Sequence, residues 1–209
     1  MASRPTAPAL IPLAAITLAL ATPRATAQTG PMRATIHLTH DDHDSVIAVG
    51  DTVTWTLAVS FQNAHAAEGG NLKLIAGANL GNASDMVFTE TNGGANGGQA
   101  EGPHLPFINW TNSLLLDAFG HPADRGNPFT VGTFQFTASA TGTFTYDILK
   151  GWSSAPFLTL ANSPLDRTDF AMGEPDLEID TLTILPPPGS VAPLALALAV
   201  GRRKPRHDR

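Results

Sequence analysis

The sequence predicts an all-β protein whose main body is a single antiparallel β-sandwich, and two observations support this. Apolar and polar residues alternate in segment after segment, which is the pattern of strands with one face toward a core and one toward water. Glycine, asparagine and aspartate stand at the joints between these segments, where turns favour them. Many short strands with little helical periodicity between them are typical of two packed antiparallel sheets.

The clearest strand spans residues 52–61, and a similar one spans residues 34–40. In the first, every odd position from Val53 to Phe61 is large and apolar. In the second, three alternate residues are expected to point inward: Ala34, Ile36 and Leu38. Each segment therefore places one row of side chains in the core.

Two phenylalanine-rich runs, 132–140 and 143–149, flank a turn at Thr141 and Gly142. Because a glycine-containing turn between two alternating runs favours direct pairing, the sequence predicts a hairpin here. The predicted inward positions of the two runs are Phe134, Phe136, Phe144, Tyr146 and Ile148.

Further strands and irregular segments complete the body. Strands are expected at 72–76, 85–90 and 177–185. The alternation of the last one breaks between Ile179 and Leu182, which indicates a bulge. The remaining segments are predicted to be a mobile glycine-rich loop at 91–102, a short helix at 112–118 and an irregular but packed stretch at 152–174.

Both ends of the chain differ from the body. Residues 1–27 have a basic start, an apolar centre and an Ala-Thr-Ala cleavage site, which is the organisation of a secretory signal peptide. Residues 28–185 have the usual size of one domain. Residues 186–209 hold prolines, a short hydrophobic helix and a basic end. That helix is about half as long as a membrane span, so it predicts either a transient membrane association or a weak permanent anchor.

Charge separates the body from the two ends. The whole chain has a formal net charge of -6, whereas residues 28–185 carry 17 acidic and 5 basic residues, a balance of -12. Nucleic-acid binding by the body is disfavoured, because phosphate neutralisation needs a basic face. The chain has no cysteine, so an exported form folds without disulfides.

The tail resembles the PEP-CTERM sorting signal of bacterial exported proteins, in a variant with Pro-x-Pro-Gly in place of Pro-Glu-Pro. The residues that carry the resemblance are Pro186, Pro187, Pro188, Gly189, Ser190, Arg202, Arg203 and Lys204. In that family the tail is paired with a signal peptide and is recognised by exosortase, a membrane transpeptidase-like enzyme. The resemblance implies export by the secretion machinery, processing of the tail, and delivery to the cell surface or extracellular matrix.

The body is similar, more weakly, to cohesin-like sandwiches. A Val-Gly-Asp turn at 49–51 leads into the long strand at 52–61, and a phenylalanine-rich stretch follows at 129–148. This strand pattern implies a jelly-roll or cohesin-like arrangement. It implies no particular binding partner, because one fold serves many functions.

Acidic side chains provide two candidate metal sites. Asp41, Asp42 and Asp44 stand among histidines in the stretch HLTHDDHD, and these are ligand types for a divalent cation such as calcium. The alternative is a polar turn, where aspartate is favoured anyway. Alternate acidic residues from Glu174 to Asp180 would share one strand face, either as a second calcium candidate or as a solvated surface.

Two tryptophans are candidate ligand contacts. Trp110 and Trp152 stand near predicted loops, where an exposed ring could stack on a sugar; the alternative is ordinary packing. Among complete catalytic motifs, the chain has neither a Gly-x-Ser-x-Gly elbow nor a lysine-containing phosphate loop.

The sequence therefore favours a non-catalytic surface or matrix protein whose sandwich serves adhesion or binding. The expected partners are an exosortase-type enzyme and either a polysaccharide or a surface protein, and no cofactor is expected apart from calcium. The alternative is a secreted carbohydrate-active or metal-dependent enzyme, because paired carboxylates could serve a glycosidase.

Overall fold

The computed structural model describes residues 30–89, 94–112, 126–152, 154–163 and 165–189. The predicted signal peptide, the tail from Ser190 onward and residues 113–118 of the predicted helix lie outside these ranges. Among the described residues, no helix of membrane-spanning length and hydropathy is found. Their strands are β1 (Arg33–His40), β2 (Val46–Ala48), β3 (Thr52–Gln62), β4 (Ala66–Ala76), β5 (Gly81–Ala83), β6 (Val87–Phe88), β7 (Ala95–Gly97), β8 (Leu105–Thr111), β9 (Phe129–Ala138), β10 (Gly142–Phe144), β11 (Tyr146–Lys150), β12 (Leu158–Ser163), β13 (Asp166–Phe170), β14 (Asp176–Ile179) and β15 (Leu182–Leu185).

The strands form two large sheets and a small one. The first sheet has the order β14-β1-β3-β9-β5, with β6 also pairing β9, and the second has the order β13-β12-β4-β8-β7, with β11 also pairing β4. The small sheet has the order β10-β15-β2. The β1–β14 and β2–β15 pairs are parallel, and the other pairs are antiparallel. The predicted all-β sandwich is confirmed.

One aromatic cluster lies at the centre of the core between the sheets. Trp55 of β3 is fully buried and lies edge-on to Tyr146 of β11, with ring centroids 5.3 Å apart. Phe134 of β9 and Phe144 of β10 also contact Trp55. Edge-to-face and offset-stacked aromatic contacts of this kind stabilise by about 0.5–1.5 kcal/mol each beyond the burial of their area. All three sheets therefore contribute to one core.

The predicted hairpin between the two phenylalanine-rich runs is wrong. Strand β9 pairs with β3, β5 and β6, whereas β10 pairs with β15 and β11 pairs with β4. The inward positions were predicted correctly, because Phe136 and Phe144 are buried and their rings stack with centroids 4.0 Å apart. The chain thus crosses between sheets at Thr141 and Gly142, since alternation fixes the face of a strand but not its partner.

The predicted bulge between Ile179 and Leu182 is also wrong. Strand β14 ends at Ile179 in the first sheet, and β15 begins at Leu182 in the small sheet. At the crossing, Asp180 N donates to Leu38 O at 2.9 Å, and Thr145 Oγ1 donates to Asp180 O at 3.1 Å. These bonds hold the chain where it passes from the first sheet to the small sheet. Such a crossing breaks the alternation of apolar and polar residues in the same way as a bulge does.

Three smaller predictions need correction. The predicted loop at 91–102 contains β7, which pairs with β8, and the predicted strand at 85–90 is reduced to β6. Of the predicted helix at 112–118, only Asn112 is described; its Nδ2 donates to Ala67 O at 3.0 Å and ties the end of β8 to β4, and the helix stays a prediction. The stretch 152–174 packs on the core through Phe157, Leu158, Leu160 and Phe170 as predicted, but Leu165 is exposed. The stretch is also regular, because β12 and β13 form a hairpin.

Candidate binding face

The second sheet contains an interruption that shapes its outer face. Strands β11 and β12 pair with the same edge of β4, β11 with its second half and β12 with its first half. Between β11 and β12 the chain leaves the sheet opposite Asn71 of β4. The O of Asn71 accepts from Gly151 N at 3.2 Å, and the N of Asn71 donates to Phe157 O at 3.0 Å. The excursion, formed by Trp152 and residues 154–156, is called the lobe below.

An open depression of about 390 Å³ lies on this face, beside the lobe. Its floor follows one row of the sheet, in which Gly69 is paired with Thr111 on β8 and with Thr159 on β12. Gly69 has to be small, because a Cβ there would lie 2.8 Å from Trp110 O. The lining is rich in hydroxyl, amide and charged groups, and its side chains include Glu68, Asn71, Asn109, Thr111, Thr159, Arg167 and Asp169.

A buried ion pair lies at one side of the depression. Glu68 is only 5% exposed, and it is the extra residue where the β4–β12 register shifts. Its Oε1 contacts Arg167 Nη2 at 2.6 Å, while its Oε2 has no hydrogen-bond partner among the described residues. Burial raises the pKa of Glu68, the Arg167 guanidinium lowers it, and the Asp169 carboxylate raises it again, with a net upward shift.

Asn71 connects the sheet to the lobe. It is 2% exposed, and its Oδ1 accepts from Trp152 N at 3.1 Å. Its Nδ2 has no partner within the described ranges. Two side chains beside the depression thus each carry a buried polar atom without a hydrogen-bond partner among the described residues, although buried polar groups are normally paired.

The two candidate tryptophans differ in their exposure to solvent. Trp152 is 61% exposed, and its ring stacks on Phe107 with centroids 5.2 Å apart and planes 15° apart. Trp110 is 1% exposed and covers Gly70, where a Cβ would lie 2.0 Å from Trp110 Cη2. The interpretation of Trp110 as a ligand-stacking residue is therefore wrong, because its ring faces the core.

The predicted calcium residues are engaged with the turn between β1 and β2. Asp41 Oδ1 accepts from Thr54 N at 2.9 Å, and Asp42 and Asp44 both accept from Val46 N. The hydrogen bond with Asp44, and backbone N–H groups, lower the pKa of Asp42. No group of three or more histidine or acidic side chains in the described part of the chain is arranged to hold a metal. Calcium binding here stays a prediction.

The acidic row from Glu174 to Asp180 does not share one strand face. Only Asp176 and Glu178 belong to β14, and Glu178 Oε2 contacts His37 Nδ1 at 2.8 Å. Glu174 accepts from Ala171 N before the strand, and Asp180 accepts from His40 N after it. Glu174 and Asp180 therefore fix the backbone at separate places, whereas Glu178 contacts a side chain.

Sequence reasoning missed Glu68, Asn71 and Arg167. The first half of β4 was not recognised as a strand because alanine and glycine give it no large apolar residues. An acidic residue between two alanines and two glycines was the available signal, since glycine inside a strand often marks a close approach.

No protein-family model matches the chain, and no curated protein matches it either. Several solved structures are similar in fold. A type II cohesin in a cohesin–X-dockerin complex from Acetivibrio cellulolyticus has a TM-score of 0.48 and 12% identity, and the match covers 73% of this chain and 100% of that one. Another type II cohesin from that organism has a TM-score of 0.46 and 13% identity, and the match covers 72% of this chain and 95% of that one. A type I cohesin from Pseudobacteroides cellulosolvens has a TM-score of 0.46 and 11% identity, and the match covers 74% of this chain and 93% of that one.

Proposed function

We propose that the protein is an exported, non-catalytic component of the cell surface or extracellular matrix, and that its sandwich binds a partner through the outer face of the second sheet. The observation that carries this proposal is the depression with polar side chains in its lining beside the exposed Trp152 ring. Trp152, stacked on Phe107, offers an apolar surface to solvent, and the adjoining lining includes hydroxyl, amide and charged groups. Convergent polar groups near exposed aromatic area are typical of binding sites.

The proposal that the protein is exported to the cell surface rests on the two ends of the chain. The last strand in the described part of the chain ends at Leu185, and Pro186–Pro188 cannot continue a ladder because proline lacks the N–H donor. A tail that begins where pairing ends is well placed for removal by an exosortase between Pro186 and Ser190. Mass spectrometry of surface protein should then find no peptide from residues 204–209. Intact Arg209 on surface protein would instead favour a weak membrane anchor.

The depression supports binding rather than catalysis. Of its two carboxylates, Glu68 is held by Arg167, and Asp169 accepts from Thr159 Oγ1 at 2.7 Å. Glycoside hydrolysis needs one carboxylic acid and one carboxylate free to reach the substrate. The alternative, a secreted carbohydrate-active enzyme, is favoured by one observation, the raised pKa of Glu68, which suits a general acid. That alternative requires turnover that is lost in Glu68→Gln, whereas a binding module shows no turnover in either form.

Surface attachment tests the binding face. Thr111→Arg places a long cation in the depression, and Gln135→Arg places the same side chain at an exposed position of the first sheet. Cells that secrete either variant are separated from the medium, and both fractions are quantified by immunoblot. We expect Thr111→Arg protein in the medium and Gln135→Arg protein on the cells. Retention of both variants equal to that of the original chain would overturn the proposed face.

A further inference from the structure

We propose that the ligand of the outer face is an uncharged polysaccharide, with one pyranose ring stacked on Trp152 and a neighbouring ring in the depression. The inference rests on the proposed function, because it names the ligand class of the same face. It is carried by three observations: a rigid exposed ring, a hydroxyl-matching lining, and a charge balance that repels polyanions.

The exposed indole is held in place before any ligand binds. Phe107 supports one side of the Trp152 ring, and Asn71 Oδ1 fixes the Trp152 backbone N–H. The C–H face of a pyranose is apolar and packs flat on an aromatic ring. Because the ring is already ordered, little conformational entropy is lost when the sugar stacks.

The depression matches a polyol better than a peptide. A sugar hydroxyl both donates and accepts, so neighbouring hydroxyls suit a lining of amide, hydroxyl and carboxylate side chains. Asn109, Thr111 and Asp169 add further donors and acceptors to the lining. The volume of about 390 Å³ is near the lower end of ligand pockets and suits one or two sugar rings. A protein partner would have to bury these polar groups against less uniformly polar side chains.

Charge selects among polysaccharides. The lining carries two carboxylates, Glu68 and Asp169, against one guanidinium, Arg167. The body around it has a formal balance of -12. The excess of carboxylates in the lining disfavours uronate-containing or sulfated chains in the depression, and uncharged chains meet no such penalty.

The test uses the full chain, kept in solution with a detergent that has no sugar headgroup. The probes are cellohexaose, chitohexaose and, as the anionic arm, a mannuronate oligomer. Trp55 and Trp110 are buried, so acrylamide quenching of fluorescence reports on Trp152. We expect at least one neutral probe to protect Trp152 from quenching, and the mannuronate oligomer to give no protection.

Calorimetry on variants identifies the contact. Trp152→Ala should weaken neutral-oligosaccharide binding by at least about tenfold, as loss of an aromatic stacking platform does elsewhere. Trp152→Phe should retain most of the affinity, because it keeps an aromatic ring. Val87→Ala is the matched control, since Val87 is an exposed apolar residue of the first sheet, and its affinity should be unchanged.

Several outcomes overturn the inference: no neutral probe binds, the mannuronate oligomer binds best, or Trp152→Ala binds as tightly as the original chain. If no neutral probe binds while Thr111→Arg still releases the protein from cells, the partner is a protein, and only this inference fails. If neutral probes bind while Thr111→Arg protein stays on the cells, the proposed attachment fails instead.

Discussion

Replacing Arg167 by methionine should destabilise the protein in a way that depends on pH. The substitution keeps most of the side-chain volume but removes the cation that contacts Glu68 Oε1 at 2.6 Å. Removing one partner of a buried ion pair costs about 3–5 kcal/mol. The Arg167 side chain is 46% exposed, so we take a lower value of about 2–3 kcal/mol at pH 7. For a domain of this size, that corresponds to a fall in Tm of about 4–12 °C.

The sign of the pH dependence follows from burial. The pKa of Glu68 is raised in the folded state, and losing Arg167 raises it further. The folded protein then holds this proton more tightly than the unfolded chain does. The stability contributed by the protonated carboxyl is fully present below the ordinary pKa of 4.5 and is lost as pH rises through the folded value. The deficit of Arg167→Met should therefore be large at pH 7 and nearly absent at pH 4.

Thermal melting of full chains by circular dichroism, each variant compared with the original chain at the same pH, measures this effect. Arg33→Met is the control, because Arg33 is an exposed arginine of β1, and it should change Tm by no more than about 2 °C. The double variant Glu68→Gln with Arg167→Met should recover most of the loss, since it leaves no charge buried. Equal deficits for Arg167→Met and Arg33→Met at pH 7, or a deficit that persists at pH 4, would refute the reasoning.

Three further predictions concern the rest of the molecule. Removing residues 186–209 should leave Tm unchanged, because β15, the last strand among the described residues, ends at Leu185; a truncated chain that does not fold would contradict a separable tail. Calcium at millimolar concentration should not raise Tm, and a saturable rise that Asp42→Asn abolishes would show a site in the β1–β2 turn. Gly70→Ala should cost about 1–3 kcal/mol in urea unfolding, because its methyl group overlaps Trp110; an unchanged midpoint would contradict the buried position of that ring.

The sequence predicted the faces of the strands better than their partners. Alternation identified the inward rows of β1, β3 and β9, because burial of one face is a local property of the chain. The hairpin across Thr141 and Gly142 failed because a turn also suits a chain that changes sheet. Nothing local distinguishes these two cases, since the pairing partners lie at β4 and β15.

Part of the candidate site could have been predicted from the sequence. Trp110 has the same parity as Ile108 on β8, so alternation could have placed both in the core, with Phe107 on the other face. The exposure of Trp152 could not be predicted, because it depends on the lobe that interrupts pairing with β4. The Glu68–Arg167 pair joins residues about a hundred positions apart, and no local pattern brings them together.

The central claim is that the outer face of the second sheet is covered when the protein is in place on the cell surface. Hydroxyl-radical footprinting with mass spectrometry, on protein attached to its own cells and on the same protein released into solution, tests this claim most directly. Trp152 should be strongly protected on the cells, while Val87 and Leu177, which are exposed on the first sheet, should be oxidised equally in both samples. Equal oxidation of Trp152 in attached and released protein would contradict the account.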